Sequence, residues 1–130
     1  MKQLVFQTFL ILVLMSLTEK IIAQQAKAYE TVNYTARINN SAFYLGYADG
    51  YIGASKIKLV STHNKPKLFT PASGTPEANG DFVLTLNLGA DKREIILTGI
   101  NEDVEAPKTI RGTYRERGRV LALLFYKNKH

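Results

Sequence analysis

Thr109-Ile110-Arg111-Gly112-Thr113-Tyr114-Arg115-Glu116 and Arg119-Val120-Leu121-Ala122-Leu123-Leu124-Phe125-Tyr126-Lys127, joined by Arg117-Gly118, decide the fold of this chain. In the first segment Ile110, Gly112 and Tyr114 alternate with Thr109, Arg111, Thr113 and Arg115. A period of two puts one set against a core and the other toward water, as a half-buried strand requires. Arg117-Gly118 is short enough to make only a tight hairpin. The second segment sets Leu121, Leu123 and Phe125 against Val120, Ala122, Leu124 and Tyr126, so it is apolar on both faces and is expected to be covered on both.

The same period runs back toward the N-terminus. Arg93 to Ile100 carries Ile95 and Leu97 on the face that also holds Arg93 and Gly99, and Phe82, Leu84, Leu86 and Leu88 alternate with Val83, Thr85 and Asn87. Earlier candidates are Tyr29 to Ile38, Ala42 to Tyr47, Ser55 to Ser61 and Lys65 to Thr70. Between them lie turn signals at Asn39-Asn40-Ser41, Ala48-Asp49-Gly50, His63-Asn64 and Gly89-Ala90-Asp91. Asn101 to Pro107 reads as an acidic connection. The longest breaker-rich stretch, residues 71–80, reads as a mobile loop within one domain, because it holds two prolines, two glycines and no large apolar residue. No segment after residue 28 has a helical period long enough for a crossover. Successive strands are therefore expected to be antiparallel neighbours. The fold class is all-β: one antiparallel meander of about eight strands, closing as a small up-and-down barrel, with a β-sandwich as the alternative. Closure is favoured because it removes unpaired edges.

The closing segments, Ile95-Ile96-Leu97-Thr98-Gly99-Ile100 and Ile110-Arg111-Gly112-Thr113-Tyr114 with Gly118 and Leu121 to Tyr126, resemble the last strands of small lipocalin-like (calycin) barrels. The likeness covers about 30 C-terminal residues. It implies an architecture and no binding residues, since the opening glycine-x-tryptophan motif of that family is missing from a chain without tryptophan.

Residues 1–23 read as a secretory signal peptide. Lys2 gives a positive start, Leu4 to Leu17 an apolar run of about fourteen residues, and Ile21-Ile22-Ala23 a small residue before the cut. The run is short of the roughly 20 residues a spanning helix needs. A retained anchor competes only if Ile21 to Ala23 prolongs the helix through Glu19 and Lys20, and cleavage also fits at Gln24 or Gln25. The pattern is that of bacterial export to the periplasm or the exterior, with no stable membrane span after cleavage. Residues 24–28 form a short tail, and 29–130 a single β domain.

Cutting after Ala23 removes two of the 17 basic and one of the 11 acidic residues, leaving a charge of +5 on 107 residues. That charge suits solubility or an acidic partner, and export disfavours nucleic acid. With no cysteine, disulfides, thiol nucleophiles and cysteine-zinc sites are excluded. His63, in a polar turn, and His130, at the end of the chain, are the histidines. No spaced metal set surrounds either. Glu102, Asp103 and Glu105 lack the alternation and glycine of a calcium loop. Neither an enzyme nor a cofactor is expected.

Two features carry binding chemistry. Phe43 to Gly53 holds Tyr44, Tyr47 and Tyr51 with three glycines. Tyrosine pairs a large apolar body with one polar handle, which fits the lip of a ligand pocket, with loop 71–80 as its lid, and equally fits packing at a barrel end. Arg111 and Arg115, with Arg117 and Arg119 beyond them, form a basic hairpin face. Arginine's planar fork suits carboxylate, sulfate or phosphate; the same face also fits plain solvation. The expected function is an exported, non-enzymatic binding protein that holds a small or amphipathic ligand, apolar or anionic, in the open end of a lipocalin-like barrel. The alternative is a protein-interaction module for an envelope protein.

Overall fold

The computed structural model describes residues 29–86, 89 and 91–130, together with Gln7. The rest of the expected leader, the 24–28 tail and Leu88 lie outside the described residues. Eight strands follow in order: β1 Glu30–Ile38, β2 Ser41–Asp49, β3 Lys56–Ser61, β4 Asn64–Pro71, β5 Phe82–Leu86, β6 Arg93–Thr98, β7 Thr109–Glu116 and β8 Arg119–Lys127. Each pairs antiparallel with the next, and β1 pairs with β8, closing the barrel. At the coarse level this agrees with the lipocalin-like resemblance. No helix among the described residues is long and apolar enough to cross a membrane.

The alternation fixes what is inside. Val32, Tyr34, Ala36, Phe43, Leu45, Tyr47, Ile57, Leu59, Phe69, Phe82, Leu84, Ile95, Leu97, Ile110, Leu123 and Phe125 are all buried in one core. Gly112 is inward as well. A side chain there would meet the Ile96 carbonyl oxygen at 2.7 Å, so only glycine lets β6 and β7 run this close.

How full the barrel is follows from its stagger. Facing residues lead from Tyr34 to Leu45, Ile57, Phe69 and Leu86. Extending the same registers leads on through Arg93, Glu116 and Arg119 and returns to β1 at the level of position 42, eight residues past Tyr34. Eight strands with a shear of eight make a narrow barrel whose interior is a packed core and not a pore. Aromatic rings occupy much of it: Phe43 and Phe69 meet Tyr114 with ring centroids 5.2 and 6.1 Å away.

The two ends differ. At one, the connections 39–40, 62–63 and 117–118 are two residues each. At the other, residues 50–55, 72–81 and 99–108 are long, and they form a plug. Ile52, in a 3-10 turn spanning Ile52–Ala54, is buried there together with Ile100 and Ala106. The Tyr34 hydroxyl donates to the Pro107 carbonyl at 2.6 Å, and the buried Ser55 hydroxyl accepts from the Ala48 N–H at 2.9 Å.

Loop 72–81, which overlaps the stretch 71–80 expected to be mobile, carries backbone contacts of its own. Its backbone bonds run Ala72 N–H to Val83 (2.9 Å), Glu77 N–H to Asp81 (2.8 Å) and Ile100 N–H to Gly80 (2.8 Å). Gly74 lies so close to Gly53 that a side chain on Gly53 would meet its carbonyl oxygen at 3.0 Å.

Closure is uneven. The β1–β2 ladder holds nine residue pairs and β7–β8 eight, whereas β1–β8 holds only Tyr34↔Lys127 and Thr35↔Tyr126. The expectation that both faces of β8 are covered also fails. Its inner residues Leu123 and Phe125 are buried, but Val120, Leu124 and Tyr126 are 62%, 40% and 58% exposed on the outside. Periodicity reports that a face is apolar; it does not supply a partner for it.

Candidate functional site

The inward positions nearest the short turns end the apolar stack. Ser41, Ser61, Lys67, Arg93 and Glu116 take the place of large hydrophobics, over a floor that includes Phe43, Leu59, Tyr114 and Leu121. They surround a mouth cavity of about 460 Å³, with Arg117 and Arg119 on its rim. A second groove, also about 460 Å³, continues over the rim between β6 and β7–β8 and shares Arg93, Glu116, Arg117 and Arg119 with the mouth.

Arg93 organises the mouth. Its Nε donates to Asp91 Oδ1 at 2.9 Å, one terminal nitrogen donates to the Tyr114 hydroxyl at 3.2 Å, and the other lies 3.2 Å from Glu116 Oε1. Lys67 Nζ stands 3.6 Å from the second Asp91 oxygen. Across the mouth the Ser41 and Ser61 hydroxyls are 3.0 Å apart.

The titration of these groups follows from the contacts. Burial works against the Arg93 charge, but the Tyr114 hydroxyl, Asp91 and Glu116 outweigh it and hold the guanidinium protonated. Desolvation works the same way at Asp91, where the Arg93 hydrogen bond and charge, with Lys67, keep the carboxyl below its ordinary range. Burial raises Tyr114, and Glu116 adds to the shift against the pull of Arg93. Its phenol therefore remains neutral while accepting from Arg93. Lys67, Arg93, Arg117 and Arg119 against Asp91 and Glu116 leave two positive charges in excess at the opening. That arrangement attracts an anion while offering hydroxyls for orientation and an apolar floor.

The residues expected from sequence fall elsewhere. Tyr44 points outward from β2, opposite Lys58. Tyr47 is buried toward the plugged end, edge-on to Tyr34 at 6.1 Å, and burial raises its pKa. Tyr51 is on the outside of that end, 6.2 Å from Tyr29. Arg111 and Arg115 project outward from β7, with Arg115 paired to Glu94 at 3.0 Å. None of the five lines the mouth, though Arg115 reaches the adjoining groove. The segments imagined as lip and lid do meet, at Gly53 and Gly74, but over the plug.

Lys67, Arg93 and Glu116 left a signal in the sequence. Each shares strand parity with buried neighbours: Phe69, Ile95 with Leu97, and Ile110 with Tyr114. A charge ending an inward-facing row marks a mouth. His63 is exposed in the β3–β4 turn, and no group of three or more His, Asp or Glu residues among the described residues is arranged to hold a metal ion. Comparison with protein-family models, curated proteins and solved structures finds no match.

Proposed function

We propose that this chain is an exported binding protein that takes a small amphipathic anion in the hairpin-end mouth of its barrel. The carrying observation is the Arg93 cluster set above Phe43, Leu59 and Leu121 in a cavity otherwise closed by the packed core. The ligand's acidic group sits against the excess positive charge of Lys67, Arg93, Arg117 and Arg119, and its apolar end covers the floor. Ligand pockets commonly combine an apolar wall with a few convergent polar groups in this way. With the lower barrel filled, only the head of a long ligand enters.

The probe is 8-anilino-1-naphthalenesulfonate, an aromatic body with one sulfonate. Saturable fluorescence enhancement at one site is expected. The double variant Arg117→Glu/Arg119→Glu weakens it about tenfold or more, equivalent to about 1.4 kcal/mol, while Val120→Lys on the outer face leaves it unchanged. Enhancement lost with Val120→Lys and kept in the rim variant overturns the reading. A denatured mass beginning at or near Gln24 on protein from its own host supports export; one beginning at Met1 removes that part. A second reading, a protein-interaction module, draws support from the bare apolar outer face of β8.

A further inference from the structure

The barrel seam leaves part of β8 as an edge. In register, Leu123 of β8 would stand opposite Ile38, the last residue of β1, so Arg119–Ala122 project past the end of that strand. None of these four has a ladder partner on β1. The direction of their amides follows from the bonds at the lower end. The Lys127 N–H binds the Lys108 carbonyl at 3.0 Å, and the Asn128 N–H binds the Asn33 carbonyl at 2.8 Å. Odd-numbered residues of β8 therefore spend their backbone groups on β7, and even-numbered ones aim theirs toward the seam, as an antiparallel ladder requires. Val120 and Ala122 are the even residues in the projecting stretch. They are also the residues whose side chains are outward and exposed.

The upper end of β8 thus offers backbone donors and acceptors with no ladder partner among the described residues beside an apolar side-chain row, the arrangement to which an extended segment adds as a further strand. The charges around it select the occupant. Arg37, Arg111, Arg115, Arg117 and Arg119 are all exposed or on the rim nearby, and Glu94, already paired with Arg115, is the acid on this outer surface. A second copy of the chain would bring these arginines against their own duplicates. An acidic segment would offset this charge, with its mouth-facing acids meeting Arg117 and Arg119 directly.

We propose that the upper β8 edge is a docking site for an extended segment of a partner protein in which apolar residues alternate with Asp or Glu. The apolar residues lie on the outer face beside Val120 and Leu124, the acids alternate to the opposite face toward Arg117 and Arg119 at the mouth, and the backbones pair at Val120 and Ala122.

The test uses amide hydrogen exchange, read residue by residue, on the whole protein with a blocked heptapeptide of sequence Glu-Val-Glu-Val-Glu-Val-Glu. Free protein is expected to exchange the Val120 and Ala122 amides quickly while Leu121 and Leu123 are protected, because opening of an unpaired edge is not required. The peptide slows Val120 and Ala122 about tenfold or more, and the Lys-Val counterpart does not. Val120→Lys, an outward edge substitution that leaves the core intact, abolishes the effect. Ala122→Pro, which removes only a seam-directed donor, does the same. Three results overturn the proposal: Val120 and Ala122 already protected in free monomer, protection that appears only with a doubled mass, or no protection by the acidic peptide at millimolar concentration.

Discussion

The two ends of the barrel are made from strands of the same kind, yet one is a plug and the other a mouth. At the long-connection end, Ile52, Ile100 and Ala106 continue the core past the last strand residues, and Tyr34 closes it with a hydrogen bond to Pro107. At the hairpin end, the β1–β2, β3–β4 and β7–β8 turns are two residues each and leave little chain to fold over the opening. The last inward positions are Ser41, Ser61, Lys67, Arg93 and Glu116. In a narrow barrel, connection length decides which end is sealed, and the exposed end must finish in groups that tolerate water.

The comparison can be broken most sharply at the plug. Ile52→Ala removes a fully buried side chain and is expected to cost about 2–5 kcal/mol, read as a lower denaturant midpoint. Leu121→Ala at the half-buried mouth should cost well under half as much. Equal losses would mean that the mouth is as tightly packed as the plug.

Arg93→Met comes next, because it strands two carboxylates that now share one guanidinium. A loss of about 1–3 kcal/mol is expected, from hydrogen bonds to charged groups. Acid should erase the difference between wild type and variant. Asp91 has a lowered folded pKa, so its contribution is present above the ordinary carboxylate range and is lost as pH falls through the folded value. A wild-type to variant gap that persists at pH 2 would show that the Asp91 pairing is not its source.

At the plug the pH dependence runs the opposite way. Tyr34 is pushed up to about 12, by burial first and then by Tyr47 and Asp49, so the neutral phenol is favoured in the folded chain. Its stabilisation is complete below pH 10 and is lost as pH rises through 12. Tyr34→Phe, expected to cost about 1–2 kcal/mol at neutral pH through the orphaned Pro107 carbonyl, should flatten that alkaline decline in thermal melts.

The smallest effect reverses sign. Arg117 has φ +46 in its hairpin, a left-handed conformation that asparagine or glycine adopts more readily. Arg117→Asn should raise stability by about 0.5–1 kcal/mol while weakening anion binding at the rim. A gain in stability with unchanged binding would remove Arg117 from the site.

Most of the strand pattern was legible. The eight strands, their inward faces and the hairpin at Arg117-Gly118 follow from alternation and turn residues, which act over a few neighbours. The barrel in place of a sandwich agrees with the crossover-free connections. The candidate site was legible only in outline. Tyr44, Tyr47, Tyr51, Arg111 and Arg115 were singled out by composition, whereas the charges at the mouth each stood on a separate strand beside apolar neighbours.

Sequence by itself determined which residues alternate, where the chain turns and that no cysteine chemistry is present. Tertiary structure alone decided the shear of eight, the sealed and open ends, the meeting of Lys67, Asp91, Arg93 and Glu116, and the short seam that leaves β8 bare. Alternation is a property of consecutive residues. Stagger, by contrast, is the sum of eight pairings between distant ones, and a shift of two residues in any of them preserves every inward face while moving each charge to another level of the barrel.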